Sequence, residues 1–171
     1  KISSLNICRG LFQKEELLKN TIKEYDFDVC SVCEVDIENF DIAKPFSIQG
    51  YQTFFPLERP GTNTKRLICF VKDEIEVTQR YDLMSELFSS VWLEISNKSQ
   101  KILICAAYRE FSDLNDKEQM STNQQLERWK LFQSQVEKAS KEGLILCLGD
   151  FNIDLEKWEN TSEFVVIAYT A

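Results

Sequence analysis

The sequence predicts an α/β fold of the α+β kind, in which two packed mixed β-sheets are flanked by helices. A strand–helix–strand pattern occurs near each end of the chain, and apolar runs separated by polar segments lie between them. Hydrophobic residues make up 43% of the 171 residues, which is enough for a sizeable core. This length favours one domain, so we expect residues 1–171 to form a single domain.

The first strand–helix–strand unit covers the N-terminal part of the chain. Residues 1–8 have the composition of a strand, and apolar residues at helical spacing predict a helix over residues 15–25. The apolar run of residues 28–33 predicts the second strand, which Glu34 follows directly. Because helical crossovers between neighbouring strands are almost always right-handed and join parallel strands, we expect these two strands to be parallel.

The middle of the chain predicts antiparallel strands. Alternation of apolar and charged residues over 74–81 is typical of an outer strand. Polar residues predict a hairpin turn at 97–100 and an exposed loop at 109–122. The remaining strands in this part are predicted over 51–56, 67–71, 90–96 and 101–108.

The second strand–helix–strand unit ends in the most informative stretch of the chain. A helix over 123–140 precedes an apolar run, 144–148, which leads straight into Gly-Asp-Phe-Asn. Such a run predicts a central strand that is buried on both faces. Asp150 and Asn152 then lie where the chain leaves the sheet, and ligands of open α/β sheets bind beyond strand ends. An ordinary Asx turn explains the same two residues equally well.

Composition excludes several kinds of site. The chain contains no histidine, which rules out Ser-His-Asp and Cys-His catalysis and His-ligated zinc within these residues. Its net charge of −8 lacks the basic footprint of a non-specific DNA-binding domain, although a local basic patch remains compatible with it. No apolar stretch reaches the length of a membrane span.

The six cysteines indicate a reducing compartment. Each lies in or next to an apolar run, and free cysteine behaves as a small buried hydrophobe. The Cys30-x-x-Cys33 pair has no second pair and no histidine, so we expect neither a zinc site nor a redox motif there. The chain starts without a signal peptide, and we therefore expect an intracellular protein that is not secreted.

Polar residues follow several of the predicted apolar strands. They are Asn6, Glu34, Tyr108 and the pair Asp150 and Asn152. If the strands align, these side chains meet at one edge of the sheets. Carboxylate and amide oxygens suit Mg²⁺ or Mn²⁺, which keep several waters and bind substrate phosphates. Each residue taken alone is compatible with an ordinary loop position.

The motifs around these residues resemble those of the endonuclease/exonuclease/phosphatase superfamily, in particular the apurinic-endonuclease-like domain of non-LTR retrotransposons. The resemblance covers roughly residues 1–158. It implies a four-layer sandwich of the DNase I-like type and hydrolysis of a phosphate ester that depends on Mg²⁺ (or Mn²⁺). The matching segments, in order, are Leu5-Asn6-Ile7, Ser31-Val32-Cys33-Glu34, Ala107-Tyr108-Arg109 and Leu148-Gly149-Asp150-Phe151-Asn152.

The resemblance also implies a role for each matching residue. Glu34 would be the main metal ligand, with Asn6 close to the metal. Asp150 would orient the attacking water or handle a proton. Asn152 would donate a hydrogen bond to the scissile phosphate, and Tyr108 would contact the phosphate or stabilise its charge.

Arg109 would add a further phosphate contact, since a guanidinium matches phosphate oxygens, although a solvated loop arginine explains it as well. Two departures from the pattern stand out. Superfamily members end with a Ser-Asp-His motif, and this chain has no histidine. Cys8 also lies two residues after Asn6, where a charged residue is common. We therefore expect an incomplete C-terminus, corresponding to the N-terminal two-thirds of a catalytic domain, with little or no activity alone.

Three functions are compatible with these residues and with the resemblance. The first, which the resemblance implies, is a fragment of a monomeric retroelement endonuclease that nicks DNA in the nucleus, with a reverse transcriptase domain in the same parent polypeptide. The second is a phosphoesterase of the same fold that acts on a small phosphate ester, which the acidic net charge favours. The third is a binding module that keeps the fold without the chemistry, which the absence of histidine favours.

Overall fold

The computed structural model describes residues 1–37, 46–58, 64–96, 100–110 and 122–152. The strands and α-helices of these ranges are β1 (Ile2–Asn6), α1 (Glu15–Tyr25), β2 (Val29–Ile37), β3 (Tyr51–Phe54), β4 (Lys65–Lys72), β5 (Thr78–Gln79), β6 (Ser89–Ser96), β7 (Lys101–Tyr108), α2 (Thr122–Ser140) and β8 (Leu144–Asp150). Short 3₁₀ helices occupy Phe12–Lys14 and Tyr81–Leu83.

Three apolar clusters separate four layers. One cluster joins Leu18 and Ile22 of α1 to the outer face of the first sheet, and another joins Phe132 and Val136 of α2 to the outer face of the second. The third cluster lies between the two sheets and draws on β2, β4, β6, β7 and β8. The predicted architecture of two packed sheets flanked by helices is therefore confirmed.

The first sheet has the strand order β1-β2-β4-β3. β1 runs parallel to β2, from the pair Ile2 and Val29 to the pair Asn6 and Cys33, as the crossover rule predicts. α1 connects these strands and has the predicted bounds. It ends at Asp26, whose left-handed conformation directs its backbone N–H to the last carbonyls of the helix.

The second sheet has the strand order β5-β6-β7-β8. β7 and β8 are parallel and place Tyr108 beside Asp150. β5 is the outer strand, as predicted, but only two of the residues 74–81 join it. The prediction that β8 is central is wrong for the part of the chain that the structure describes, where β8 pairs with β7 alone. Leu144 is 57% exposed, and burial begins only at Cys147. The prediction failed because an apolar run does not distinguish an edge strand from a central one.

Several other boundaries differ from the predictions. β2 continues past Glu34 to Ile37, so the strand predicted to end at Cys33 is longer. β3 stops at Phe54, before Pro56. Glu110 is buried, which contradicts an exposed loop at that position, and residues 111–121 of the same loop lie outside the described ranges. So do residues 97–99 of the predicted turn and the whole segment 153–171.

Five of the six cysteines are buried, as expected, and Cys8 is exposed. Cys8 belongs to the turn that follows β1, where a neighbouring apolar run does not ensure burial. Cys30 and Cys33 are three residues apart in β2, so they lie on opposite faces of the sheet, Cys30 towards α1 and Cys33 between the sheets. On opposite faces, the two thiols are not placed to bind one ion together. Among the described residues, no helix is long and apolar enough to cross a membrane.

Candidate active site at the ends of β1, β2, β7 and β8

The polar residues predicted to converge do meet at one end of the sandwich. The Asn6 side-chain amide donates from Nδ2 to Glu34 Oε1 at 3.1 Å and to Asp150 Oδ2 at 2.8 Å. The Tyr108 hydroxyl donates to the same Glu34 oxygen at 3.3 Å. Four strands from two sheets thus contribute one connected group of polar side chains.

Glu34 enters the site from a bulge in β2. The pairing of β2 with β4 shifts between Cys33, opposite Leu67, and Ile37, opposite Lys65. The three residues 34–36 therefore face a single residue of β4, and such bulges re-aim a side chain. Glu34 adopts a left-handed backbone conformation with φ of 56°, which is unfavourable for a residue with a Cβ atom. Its second oxygen, Oε2, accepts no hydrogen bond from the part of the chain that the structure describes.

Asp150 uses its two carboxylate oxygens differently. Oδ1 accepts the backbone N–H of Asn152 at 2.9 Å, which closes an Asx turn, whereas Oδ2 accepts the Asn6 amide. The Asx turn that the sequence allows at Asp150 is therefore present, and it leaves Oδ2 for the contact with Asn6. Asn6 closes a similar turn, because its Oδ1 accepts the backbone N–H of Cys8 at 2.8 Å. These turns fix the orientation of both side chains.

Gly149 places Asp150 against β7. Its φ is +133°, and a Cβ atom at this position would lie 1.8 Å from the carbonyl oxygen of Ala107. Only glycine allows β8 to approach β7 so closely at this point. Packing of β8 against β7 therefore explains why the first residue of the Gly-Asp-Phe-Asn motif is a glycine.

Asn152 and Arg109 form a reciprocal pair beside the carboxylates. Asn152 Nδ2 donates to the backbone carbonyl of Arg109 at 2.8 Å, and an Arg109 guanidinium nitrogen donates to the carbonyl of Asn152 at 3.3 Å. The Arg109 guanidinium also lies 5.7 Å from the centre of the Trp129 ring. Partial burial lowers the pKa of Arg109, but a guanidinium stays protonated at neutral pH. The Arg109 guanidinium is therefore fixed by its contacts at the edge of the site, and Arg109 is not a freely solvated loop residue.

Tyr108 is buried beneath the carboxylates and remains a hydrogen-bond donor. Burial raises the pKa of its hydroxyl well above the usual range, and the Arg66 guanidinium, 4.8 Å from the ring centre, opposes that rise. The hydroxyl is therefore protonated at neutral pH and donates to Glu34.

Backbone strain concentrates around this site. Six non-glycine residues of the described chain have positive φ, and one of them, Asp26, ends α1. The other five flank the site: Cys8, Arg9, Glu34, Asp36 and Asn152. Each such conformation costs about 1–3 kcal/mol and persists only where the surroundings enforce it, which is a common property of functional sites.

The residues fit a hard divalent cation that keeps part of its water shell. Mg²⁺ binds proteins through one or two carboxylates together with waters and substrate phosphates, and Glu34 has an oxygen available for it. No group of three or more His, Cys, Asp or Glu side chains able to hold a metal occurs among the described residues. Waters or phosphate oxygens would therefore have to complete the coordination shell.

Two charged residues next to the site, Arg66 and Asp36, are not marked by any sequence pattern. Arg66 is only 6% exposed and its Nε atom donates to Asp36 Oδ1 at 2.6 Å. A Lys-Arg pair at the start of a strand is typical of a solvated strand end, so the sequence contained no signal of this burial. Only the bulge, which the pairing of distant strands defines, brings the two residues together.

The two mixed sheets and the flanking helices form the four-layer sandwich of the DNase I-like type that the motifs imply. That expectation is confirmed for the fold, which solved structures share.

Solved structures with this fold include an endonuclease domain, a catalytic domain and an AP endonuclease. The endonuclease domain of TRAS1, a telomere-specific non-LTR retrotransposon, is 17% identical with a TM-score of 0.63, and the match covers 91% of this chain and 60% of that one. The Xenopus laevis APE2 catalytic domain is 18% identical with a TM-score of 0.66, covering 89% and 58%. The AP endonuclease LMAP from Leishmania major is 14% identical with a TM-score of 0.62, covering 88% and 54%.

At these identities the likeness shows the fold alone. The chain spans between 54% and 60% of the length of these three structures. No protein-family model matches the chain, and no curated protein matches it.

Proposed function

We propose that the chain carries the metal- and phosphate-binding part of a Mg²⁺-dependent (or Mn²⁺-dependent) phosphodiester hydrolase that nicks DNA, as an apurinic-type endonuclease of a retroelement does. The observation that carries the proposal is the single Asn6 amide that contacts both Glu34 and Asp150. Two carboxylates that converge on one group in a strained strand-end site, on a nuclease-type fold, are suited to metal-assisted hydrolysis.

Each residue has a role that its contacts support. Glu34 would hold the cation through its available oxygen, and Asn6 would keep Glu34 and Asp150 apart and oriented. Asp150 would orient a water for attack on phosphorus. A divalent cation, when bound, supplies neutralisation of the charge that develops on the phosphoryl oxygens.

Tyr108 and the Arg109–Asn152 pair would hold the phosphate itself. The single O–H of Tyr108 points to Glu34 at the floor of the site and would have to turn from that carboxylate to bond a phosphate oxygen, and Arg109 is a fixed cation beside it. The amide of Asn152 has a second N–H besides the one donated to Arg109, which would bond a phosphate oxygen. Positioned donors of this kind stabilise the transition state of phosphoryl transfer.

A supercoiled-plasmid assay with protein in excess tests this proposal. We expect at most slow nicking, because the 171 residues contain no histidine to act in proton transfer. Nicking should require Mg²⁺ or Mn²⁺ and should disappear in Asp150→Ala. The control is Asp73→Ala, an exposed residue that follows β4 at the other end of the first sheet. Nicking that survives Asp150→Ala, or that needs no divalent cation, would show that the hydrolysis occurs elsewhere.

A second candidate substrate is a small phosphate ester, which the net charge of −8 favours because it disfavours a polyanion. The two candidates differ in turnover of a plasmid and of a small phosphodiester under the same conditions. Faster turnover of the small ester, normalised to the uncatalysed rate, would support this second candidate. Binding of a DNA duplex that depends on Mn²⁺ and is lost in Asp150→Ala would support the first. A reverse transcriptase domain in the parent polypeptide and a nuclear location belong to the first candidate alone.

A further inference from the structure

We propose that Arg66 is a positioning residue for this site. It holds the bulge of β2, which contains Glu34, and the ring of Tyr108, so that the Tyr108 hydroxyl meets Oε1 of Glu34. The inference rests on the proposed function only in treating Glu34 as a metal ligand. Its structural part concerns residues of this chain alone.

Arg66 lies directly opposite the bulge. The register of β2 and β4 leaves it as the single residue of β4 that faces the three residues 34–36. An extra pair of residues in one strand leaves its backbone partly unpaired, and a bulge of this kind needs support from side chains. Glu34 and Asp36 both have left-handed conformations within it, with φ of 56° and 43°.

The guanidinium of Arg66 joins the two sides of the site. Its Nε atom donates to Asp36 Oδ1 at 2.6 Å, and its Cζ atom lies 4.8 Å from the centre of the Tyr108 ring. A planar guanidinium can bond a carboxylate through its edge while its face stacks on an aromatic ring, which a lysine ammonium cannot do. One side chain therefore connects the first sheet, through Asp36, to the second sheet, through Tyr108.

Asp36 also makes a second, weaker ion pair. Its Oδ2 atom pairs with Arg9 Nε at 3.0 Å, and the Arg9 backbone N–H donates to the Glu34 carbonyl at 2.9 Å. The Arg9 side chain is 74% exposed, whereas that of Arg66 is 6% exposed. Solvent screens exposed ion pairs strongly, so the buried contact with Arg66 is the one that fixes Asp36.

Hydrogen exchange of the metal-free protein, read by mass spectrometry, tests the structural part of the inference. In Arg66→Met we expect the amides of the β2 bulge to exchange about tenfold faster, as for a local opening that has become easier. Arg66→Lys keeps the charge without the planar stack, and should give a smaller increase. The matched control is Arg80→Met, which removes another largely buried guanidinium, bound to Asp82, Glu94 and Glu142 at a distance from the bulge.

A titration with Mn²⁺ on the same variants tests the functional part. Loss of a residue that orients a metal ligand weakens metal affinity by about 10–100-fold, and we expect Arg66→Met to fall in this range while Arg80→Met stays at the wild-type value. Unchanged exchange at the bulge in Arg66→Met, or an equal change in Arg80→Met, would overturn the inference. If Arg66→Met does not fold, Arg66→Lys decides by the same criteria. Failure of the wild type to bind Mn²⁺ would instead overturn the proposed function, and the exchange data would still decide the role of Arg66.

Discussion

Replacement of Gly149 by alanine is expected to separate the last strand from its neighbour. A Cβ atom at this position would lie 1.8 Å from the Ala107 carbonyl oxygen and within 2.9 Å of the Ala107 nitrogen. Both are backbone atoms, so no flexible side chain can move aside. Relief of the overlap requires β8 to shift away from β7, which disrupts the ladder next to Asp150.

The expected magnitude has two parts. The φ of +133° is strained for alanine, by about 1–3 kcal/mol. Loss of one or two ladder hydrogen bonds adds about 0.5–1.5 kcal/mol for each bond. We therefore expect Gly149→Ala to lower the free energy of unfolding by about 1.5–6 kcal/mol, a large fraction of the stability of a typical domain.

Urea denaturation measures this loss, and Gly50→Ala is its matched control. Gly50 also has a positive φ, of +89°, but apart from its chain neighbours no atom of the described residues lies within 4 Å of a Cβ built there. Gly50→Ala therefore carries the backbone strain without the steric overlap, and should cost about 1–2 kcal/mol. An equal loss in the two variants would refute the close approach of β8 to β7.

Three further predictions concern the rest of the molecule. Arg80→Met should lower the free energy of unfolding by about 2 kcal/mol, because Arg80 pairs with Asp82 and Glu142, and the loss should shrink at high salt. Hydrogen bonds from Arg80 hold the pKa of both carboxyl groups below the usual range. The stabilisation they give is therefore present above about pH 4 and is lost as the pH falls. Urea denaturation at a series of pH values should show that the free energy of unfolding falls less steeply with pH in Arg80→Met. A thiol reagent should modify one cysteine of the native protein, Cys8, and all six after unfolding; rapid reaction of a second thiol would contradict the described burial. Asn6→Asp should destabilise the metal-free protein by about 1–3 kcal/mol, because it replaces an amide donor by a third carboxylate. Addition of Mn²⁺ should restore part of the thermal stability. A variant that is as stable as the wild type without metal would contradict the contacts of Asn6.

The sequence predicted the layers and the strand pairs that local patterns control. The helical spacing over 15–25 predicted the bounds of α1, and the first crossover predicted that β1 and β2 are parallel. The polar residues after the apolar runs identified Asn6, Glu34, Tyr108 and Asp150 as neighbours, because strands that enter a sheet in the same direction end at the same edge. Their catalytic roles stay predictions.

The rest depends on contacts between distant segments. The bulge at Glu34 arises from the pairing of β2 with β4, and nothing in the local sequence marks three residues opposite one. The burial of Arg66 follows from that bulge and from Tyr108 in the other sheet. The exposure of Leu144 and Cys8 likewise depends on which strands and turns cover them, and an apolar neighbourhood does not reveal this.

We propose that Glu34 holds a divalent cation in a site it shares with Asn6 and Asp150. Titration of the protein with Mn²⁺, followed through the loss of the free-ion paramagnetic resonance signal, tests it most directly. We expect one bound ion, with an affinity at least about tenfold lower in Glu34→Gln and unchanged in Glu24→Gln, an exposed carboxylate on α1. Absence of binding in the wild type, or equal affinity in Glu34→Gln, would contradict the claim.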